Sequence, residues 1–337
     1  MSKSPLAQCN DPTMQGYDII GDIHGCADKL EALLIQLGYH PDGPNGAYRH
    51  PERTVVFVGD LIDRDPEQLR VLEVVKAMAG TGSAQVAMGN HEFNAIAYAT
   101  EWPAGSGTFL RPHTAKNESQ HRAFLEQVPD TERTKYLDWF LSLPLWLDLG
   151  RLRIVHACWH TESMTIVQDA LGGDRFTSVD QLERPTTKGD PLYQAVEVLL
   201  KGPEISLTKY GQPAYRDKDG HVRTSARVRW WNQTATSLRD IALVEGDFTT
   251  TDGAPYPTLP DIPVSADSRS YVYDGPVPVF FGHYWRRGAP QHLVDWTAHT
   301  ACLDFSAVKD GSLTAYRWSG EREICAENFV QCVGALG

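Results

Sequence analysis

Five short segments place aspartate, histidine or asparagine directly after runs of β-forming residues. They are Gly21-Asp22-Ile23-His24-Gly25, Gly59-Asp60-Leu61-Ile62-Asp63-Arg64, Gly89-Asn90-His91-Glu92, Val155-His156-Ala157 and Gly282-His283. Asp22, His24, Asp60, Asn90, His156 and His283 together offer carboxylate, amide and imidazole donors. Such a mixed set suits Mn, Fe, Zn or Co rather than Ca or Mg bound by oxygen alone. No cysteine belongs to it, which argues against a structural zinc site. These six side chains suit two ions if one carboxylate bridges them. Paired ions roughly 3.5–4 Å apart recur in sites for in-line displacement at phosphorus. The chemistry to expect is hydrolysis of a phosphate ester by a hydroxide that a metal pair activates.

Groups so far apart in the chain meet only if the elements before them share one edge. Tyr17-Asp18-Ile19-Ile20 reads as a short buried strand, and Leu30, Leu33, Leu34 and Leu37 then mark one face of a helix that Gly38 stops. Val55-Val56-Phe57-Val58 is a strand covered on both faces. The next helix is expected to start with Asp65 as N-cap, Pro66 at its first position and Gln68 reaching back, with Leu69, Leu72 and Met78 on its apolar side. Gln85–Met88, Arg153–His156 and Val277–Phe281 are further strands, and a last strand pair is expected between 300 and 318. Strand, polar loop and helix in repetition spell an α/β protein, whose ligand site forms where loops leave the C-terminal ends of strands.

Residues 1–15 read as a disordered lead-in and 16–337 as one catalytic domain. Within it, 161–275 is rich in Pro, Gly, Asp and Thr, and only Leu192–Leu200 has a helical pattern. That stretch is expected to be an insertion between two core strands, a lid or substrate-recognition element.

Composition sets outer limits. The chain is 42% hydrophobic and 22% charged, an ordinary globular balance. No apolar run approaches the roughly 20 residues of a membrane helix, and the N-terminus lacks a signal-peptide layout, so a cytoplasmic protein is expected. The six scattered cysteines contain no CxxC pair and are read as thiols. A formal charge of −12 gives no broad attraction to nucleic acid or anionic lipid.

The five motifs in this order resemble the calcineurin-like metallophosphoesterase superfamily. GDxxDR followed by GNHE resembles its phosphoprotein phosphatase branch, which includes bacterial diadenosine tetraphosphatase-like enzymes. The resemblance implies an αββα four-layer sandwich, two central sheets flanked by helices. It puts Asp22 and His24 on one ion and Asn90, His156 and His283 on the other, with Asp60 bridging. It makes His91 the general acid, Asp63 the carboxylate that holds it protonated, and Arg64, with Asn90, the contact to phosphate oxygens. The chain also departs from the pattern: Asp65 stands where glycine is usual and Met88 where protein phosphatases place arginine. After His156 it reads Ala157-Cys158-Trp159-His160 instead of glycines. These departures fall outside the catalytic core and bear on the substrate.

Two further features concern recognition. Arg223, Arg227, Arg229, Trp230 and Trp231 cluster in the insertion; Arg229 is the preferred second phosphate contact, with a ring nearby to stack a base. The alternative is an alternating strand with one solvated face, and Arg286, Arg287 or Lys201 compete for the phosphate. The leading substrate is a phosphomonoester, as in a phosphoprotein or phosphopeptide, and the rival is a nucleotide of the dinucleoside polyphosphate type. A nucleic-acid end phosphate is disfavoured by the net charge. A non-catalytic phospho-binding protein would show loss of a ligand or of the acid, and neither is lost.

Overall fold

The computed structural model describes residues 15–217, 220–244, 248–308 and 310–333, so nearly all of the expected lead-in lies outside the described residues. The first part of the chain runs β1 (Gly16–Ile20), α1 (Ala27–Gln36), β2 (Arg53–Phe57), α2 (Gln68–Gly80), β3 (Ala84–Val86), α3 (Asn90–Ala99), α4 (Ala115–Gln127) and α5 (Asp130–Leu141). After β4 (Trp146–Asp148) and β5 (Arg153–Val155) come α6 (Thr161–Leu171), α7 (Glu183–Thr186) and α8 (Pro191–Lys201). Short elements follow: β6 (Glu204–Ser206), β7 (Tyr215–Arg216), β8 (Val222–Arg223), β9 (Ser225–Val228), α9 (Leu238–Ile241), β10 (Ala242–Leu243), β11 (Thr249–Thr250) and α10 (Ala266–Arg269). The chain then adds β12 (Val279–Phe281), β13 (Thr300–Cys302), β14 (Leu313–Trp318) and β15 (Phe329–Cys332).

Side-chain alternation builds the layers. Ile19 and Val56 of the five-stranded sheet β15-β14-β1-β2-β3, with Val58 and Ala87 just past its strand ends, meet Ile154, Phe280 and Ala301 of the four-stranded sheet β13-β12-β5-β4, with Leu152 and Leu303 beside its strands. The opposite faces, with Ile20, Val55 and Phe57 on one sheet and Val155, Val279 and Phe281 on the other, pack in a second cluster with helical residues such as Leu30, Leu34, Val71 and Val75. Successive residues of a strand therefore serve different layers, which is why these runs are apolar without a break. The result is the expected sandwich of two sheets between helices.

β1, β2 and β3 run parallel, and so do β5, β12 and β13, so that the site-bearing loops leave the same ends of neighbouring strands. The long segment after β5 returns as its direct neighbour β12, with Val279 opposite Arg153.

Several expectations need correction. The final "strand pair" is no pair: β13 joins β12, whereas β14 runs antiparallel to β1 in the other sheet and is flanked by β15. The segment after β5 also carries α6, whose buried side is only Ser163, Met164 and Val167, too sparse a stripe to read as periodic. α2 starts at Gln68, because Asp63 and Arg64 turn through left-handed backbone (φ 69° and 79°) before it. Asp65 instead accepts from the Cys26 thiol at 3.0 Å, and Gln68 reaches back to the Asp63 N–H and the Asp65 carbonyl.

Candidate active site

Each motif residue stands within four positions of a strand end: Asp22 and His24 after β1, Asp60 after β2, Asn90 after β3, His156 after β5 and His283 after β12. Their loops are tight. Left-handed backbone is adopted by His24, Asp60, Asp63, Arg64, His283 and Trp285, a concentration of strain expected where side chains must be aimed. Two glycines let main chains meet. A Cβ on Gly282 would fall 1.9 Å from Asp22 Oδ1, and one on Gly89 would fall 2.3 Å from Asp60 Oδ1.

Two groups of donor atoms form around one shared carboxylate: His24, Asp60 and His91, and Asp60, His156 and His283, each with its atoms within 4.8 Å of one another. Asp22 belongs to neither triplet but is buried beside them, its Oδ2 accepting from the His283 N–H at 3.1 Å. Asn90 Oδ1 lies 3.1 Å from His156 Nε2.

The donor set fits cations. The Nδ1 atoms of His24 and His156 lie 2.8 and 2.9 Å from the carbonyls of Ile62 and Val58, which assigns the ring protons there and turns each Nε2 lone pair inward. His24 Nε2 is buried without a hydrogen-bond partner. Burial pushes the Asp22 carboxyl well up, with Asp304 and Asp60 adding repulsion, and burial followed by the His91 charge pushes His24 down to about 3. Burial opposes the charge on His156, yet Asp60 raises this ring to about 10. The pocket thus gathers carboxylate and imidazole groups whose proton affinities are set against one another, and a divalent ion bound there would displace those protons.

Within the first triplet, His91 Nδ1 donates to Asp63 Oδ2 at 2.5 Å, and His91 Nε2 faces Asp60 at 3.8 Å. Burial works against a charged His91, but Asp60 and Asp63 together raise it above its ordinary value. Two contributors were not singled out from sequence. His121, 58 positions from Asp63, donates to the same carboxylate oxygen at 3.1 Å. Glu92, the last residue of GNHE, accepts from the N–H groups of Gly89, Asp60 and Leu61 at 2.8–2.9 Å and so ties the two motif loops together. Its position in the motif was the one available signal.

An open cleft of about 450 Å³ leads away from Asp60, Asn90, His91 and His283. Arg64, Arg111, Lys116, Lys201, Arg223 and Arg227 line it, against Glu197 and Glu204. Arg64 is exposed and lies 4.4 Å over the Trp285 ring. Arg229 does not reach the cleft. It follows the end of β9, and its guanidinium donates to the carbonyls of Arg239 and Asp240 at 3.1 and 3.3 Å, capping the short α9. Arg227, two residues earlier and on the face opposite buried Ala226 and Val228, lines the cleft instead. Trp230 and Trp231 are buried against Phe281, so neither ring is open to a base, and Arg286 is buried beside Asp295.

Comparison with known proteins supplies the family. A family model described as calcineurin-like phosphoesterase matches residues 17–235. Asymmetrical bis(5'-nucleosyl)-tetraphosphatase PrpE of Oceanobacillus iheyensis is 30% identical over 141 residues, 42% of this chain and 54% of that protein. The protein of the same name from Geobacillus thermodenitrificans is 35% identical over 143 residues, 42% and 56% of the two chains. The chain thus spans about half the length of the curated relatives it matches. A protein serine/threonine phosphatase from Saccharomyces cerevisiae shares the fold at 13% identity, with TM-score 0.53 over 97% of this chain and 82% of that one. The matched span covers well over half of the sequence and includes four of the five motifs. The chain belongs to the calcineurin-like phosphoesterase family.

Proposed function

We propose that this protein is a metal-dependent hydrolase that cleaves a phosphoanhydride bond of a dinucleoside polyphosphate. The observation that carries this reading is the cleft that opens on the donor cluster: six basic side chains line it, Lys201, Arg223 and Arg227 paired with Glu197, Asp217 and Glu204, in a chain of net charge −12. A phosphomonoester needs few of them; a chain of phosphates can engage several. The relatives named bis(5'-nucleosyl)-tetraphosphatase point the same way.

In this reading Asp22, His24, Asp60, Asn90, His156 and His283 would hold two transition-metal ions, manganese the first candidate; His24, Asp60, His156 and His283 belong to the two donor triplets, with Asp22 and Asn90 beside them. Bound there, the ions would supply Lewis acidity and a coordinated water of lowered pKa. The chain's own residues do the rest. Arg64 and the Asn90 amide grip oxygens of the reacting phosphate, while Arg227, Lys201, Arg111 and Lys116 hold the remaining phosphates. His91, oriented by Asp63 through Nδ1, presents Nε2 to the site and gives its proton to the departing oxygen. From the segment 161–275, Glu197, Lys201, Glu204, Arg223 and Arg227 form one cleft wall and set which substrate enters.

The test compares diadenosine tetraphosphate, a phosphoserine peptide and p-nitrophenyl phosphate at saturating Mn²⁺, with a chelator control. The expected order of kcat/KM puts the tetraphosphate first, and all activity is lost with chelator. Preference for the phosphopeptide would replace this reading with the phosphoprotein phosphatase one. Calorimetric titration should give two Mn²⁺ per chain, and a featureless titration would remove the metal assignment independently of turnover.

A further inference from the structure

We infer that His121 is a positioning residue for the proposed reaction: it anchors the carboxylate that aims His91. The inference rests on the reading of His91 as the acid. His121 sits on α4, is 1% exposed, and directs Nδ1 at Asp63 Oδ2, the same oxygen that receives His91 Nδ1. Asp63 therefore stands between two imidazoles. Its main chain is held separately, by the Gln68 side chain on its N–H at 2.6 Å and by the left-handed turn it occupies. With one imidazole alone, the carboxylate would keep freedom to rotate about that contact. The second N–H, arriving from a different helix at the same oxygen, fixes the position of Oδ2 while Oδ1 has no hydrogen-bond partner, and the His91 ring is aimed from that oxygen.

A space-filling role explains His121 poorly. Its Nε2 is buried with no hydrogen-bond partner, a cost that a phenylalanine or leucine of similar bulk would not incur. The ring keeps a costly nitrogen in order to present the other one to Asp63. α4 is otherwise a wall of the cleft, carrying Lys116, Asn117 and Gln120 on its open side. One helix thus bears substrate-facing groups and, through His121, the support of the acid. The two should separate kinetically, with Lys116 acting on KM and His121 on kcat.

The experiment uses the Mn²⁺-loaded full chain and two aryl phosphates, phenyl phosphate, whose leaving group needs a proton, and p-nitrophenyl phosphate, whose leaving group needs it less. His121→Phe is expected to lower kcat on phenyl phosphate by about tenfold or more, part of the usual worth of a general acid. The loss on p-nitrophenyl phosphate should be several times smaller, with KM, Mn²⁺ stoichiometry and Tm close to the parent values. His121→Asn, whose amide N–H can replace the Nδ1–H, should recover most of the loss. If the Phe variant folds poorly, His121→Leu carries the same expectation. Full kcat on phenyl phosphate, or equal losses on both substrates together with lost metal or lowered Tm, would overturn the positioning role. His91→Asn is run alongside: if it lacks the leaving-group dependence, the acid assignment itself fails, whereas if only the His121 variants lack it, His121 alone is dismissed.

Discussion

Asp60 is the residue on which the other site groups lean. Its Oδ1 accepts the His91 N–H at 3.0 Å and lies 3.4 Å from His156 Nε2, while its Oδ2 faces His24 and His91. Burial opposes its charge, but the surrounding imidazoles hold the carboxyl well below its usual range, so it stays ionised. His91 is the group whose loss should show in turnover. His91→Asn is expected to lower kcat by roughly 10²–10⁴-fold, the range for a general acid. Mn²⁺ content measured on the same sample should hold; a matching loss of metal would instead make His91 a ligand. The sign of the pH dependence follows from the raised His91 value. An acid must carry its proton, so activity is present below that raised value and lost as pH rises through it. Asp63→Asn removes one cause of the raise, and the alkaline limb of kcat should move to lower pH. A limb that stays in place would separate Asp63 from the proton transfer. Gly282→Ala, whose Cβ falls on Asp22 Oδ1, should reduce bound Mn²⁺ before it affects KM.

At the scale of elements, the cleft lies between α4 with the Arg111 loop and the α8–β6–β9 face. β9 decides which arginine enters. Ala226 and Val228 are buried, Arg227 faces out and pairs with Glu204 at 3.0 Å, and the chain turns before Arg229 can take the next outward position. Arg227→Ala should raise KM for diadenosine tetraphosphate by about 10–100-fold, the worth of one hydrogen bond to a charged group. Its effect on p-nitrophenyl phosphate should be smaller. Arg229→Ala should leave both KM values in place and cost only a little stability through α9. The reverse pattern would reassign the phosphate contact. Glu92, through its three backbone N–H partners, couples the start of α3 to the β2 loop.

Over the whole molecule, charge is divided unevenly. A net-acidic chain presents a basic cleft at the mouth of a buried acidic pocket, so kcat/KM on a polyphosphate should fall with added salt more than it does on p-nitrophenyl phosphate. The pocket itself buries Asp22, Asp60, Glu92 and Asp304 between the two sheets' loop ends. Chelation is therefore expected to lower Tm, and Mn²⁺ at about 100 times its Kd should restore roughly 2.7 kcal/mol per site. A Tm indifferent to Mn²⁺ would mean that the pocket is stable without ions. Among the described residues no helix is long and apolar enough to cross a membrane.

The residues of the candidate site could be listed from the chain because each is placed locally: Asp22, Asp60, Asn90, His156 and His283 all follow a strand by a few residues, and a strand end limits where its next side chains point. The α/β layering was readable for the same reason, since unbroken apolar runs mean burial on both faces. Tertiary packing decided the rest. His121 meets Asp63 only because a mostly polar helix, with little beyond His121 and Phe124 buried, is laid across the site. The choice of Arg227 over Arg229 depends on where β9 stops, and β13 and β14 part into different sheets through pairings with distant strands. Contacts that span tens of residues are set by which faces bury together, and no local pattern carries that information.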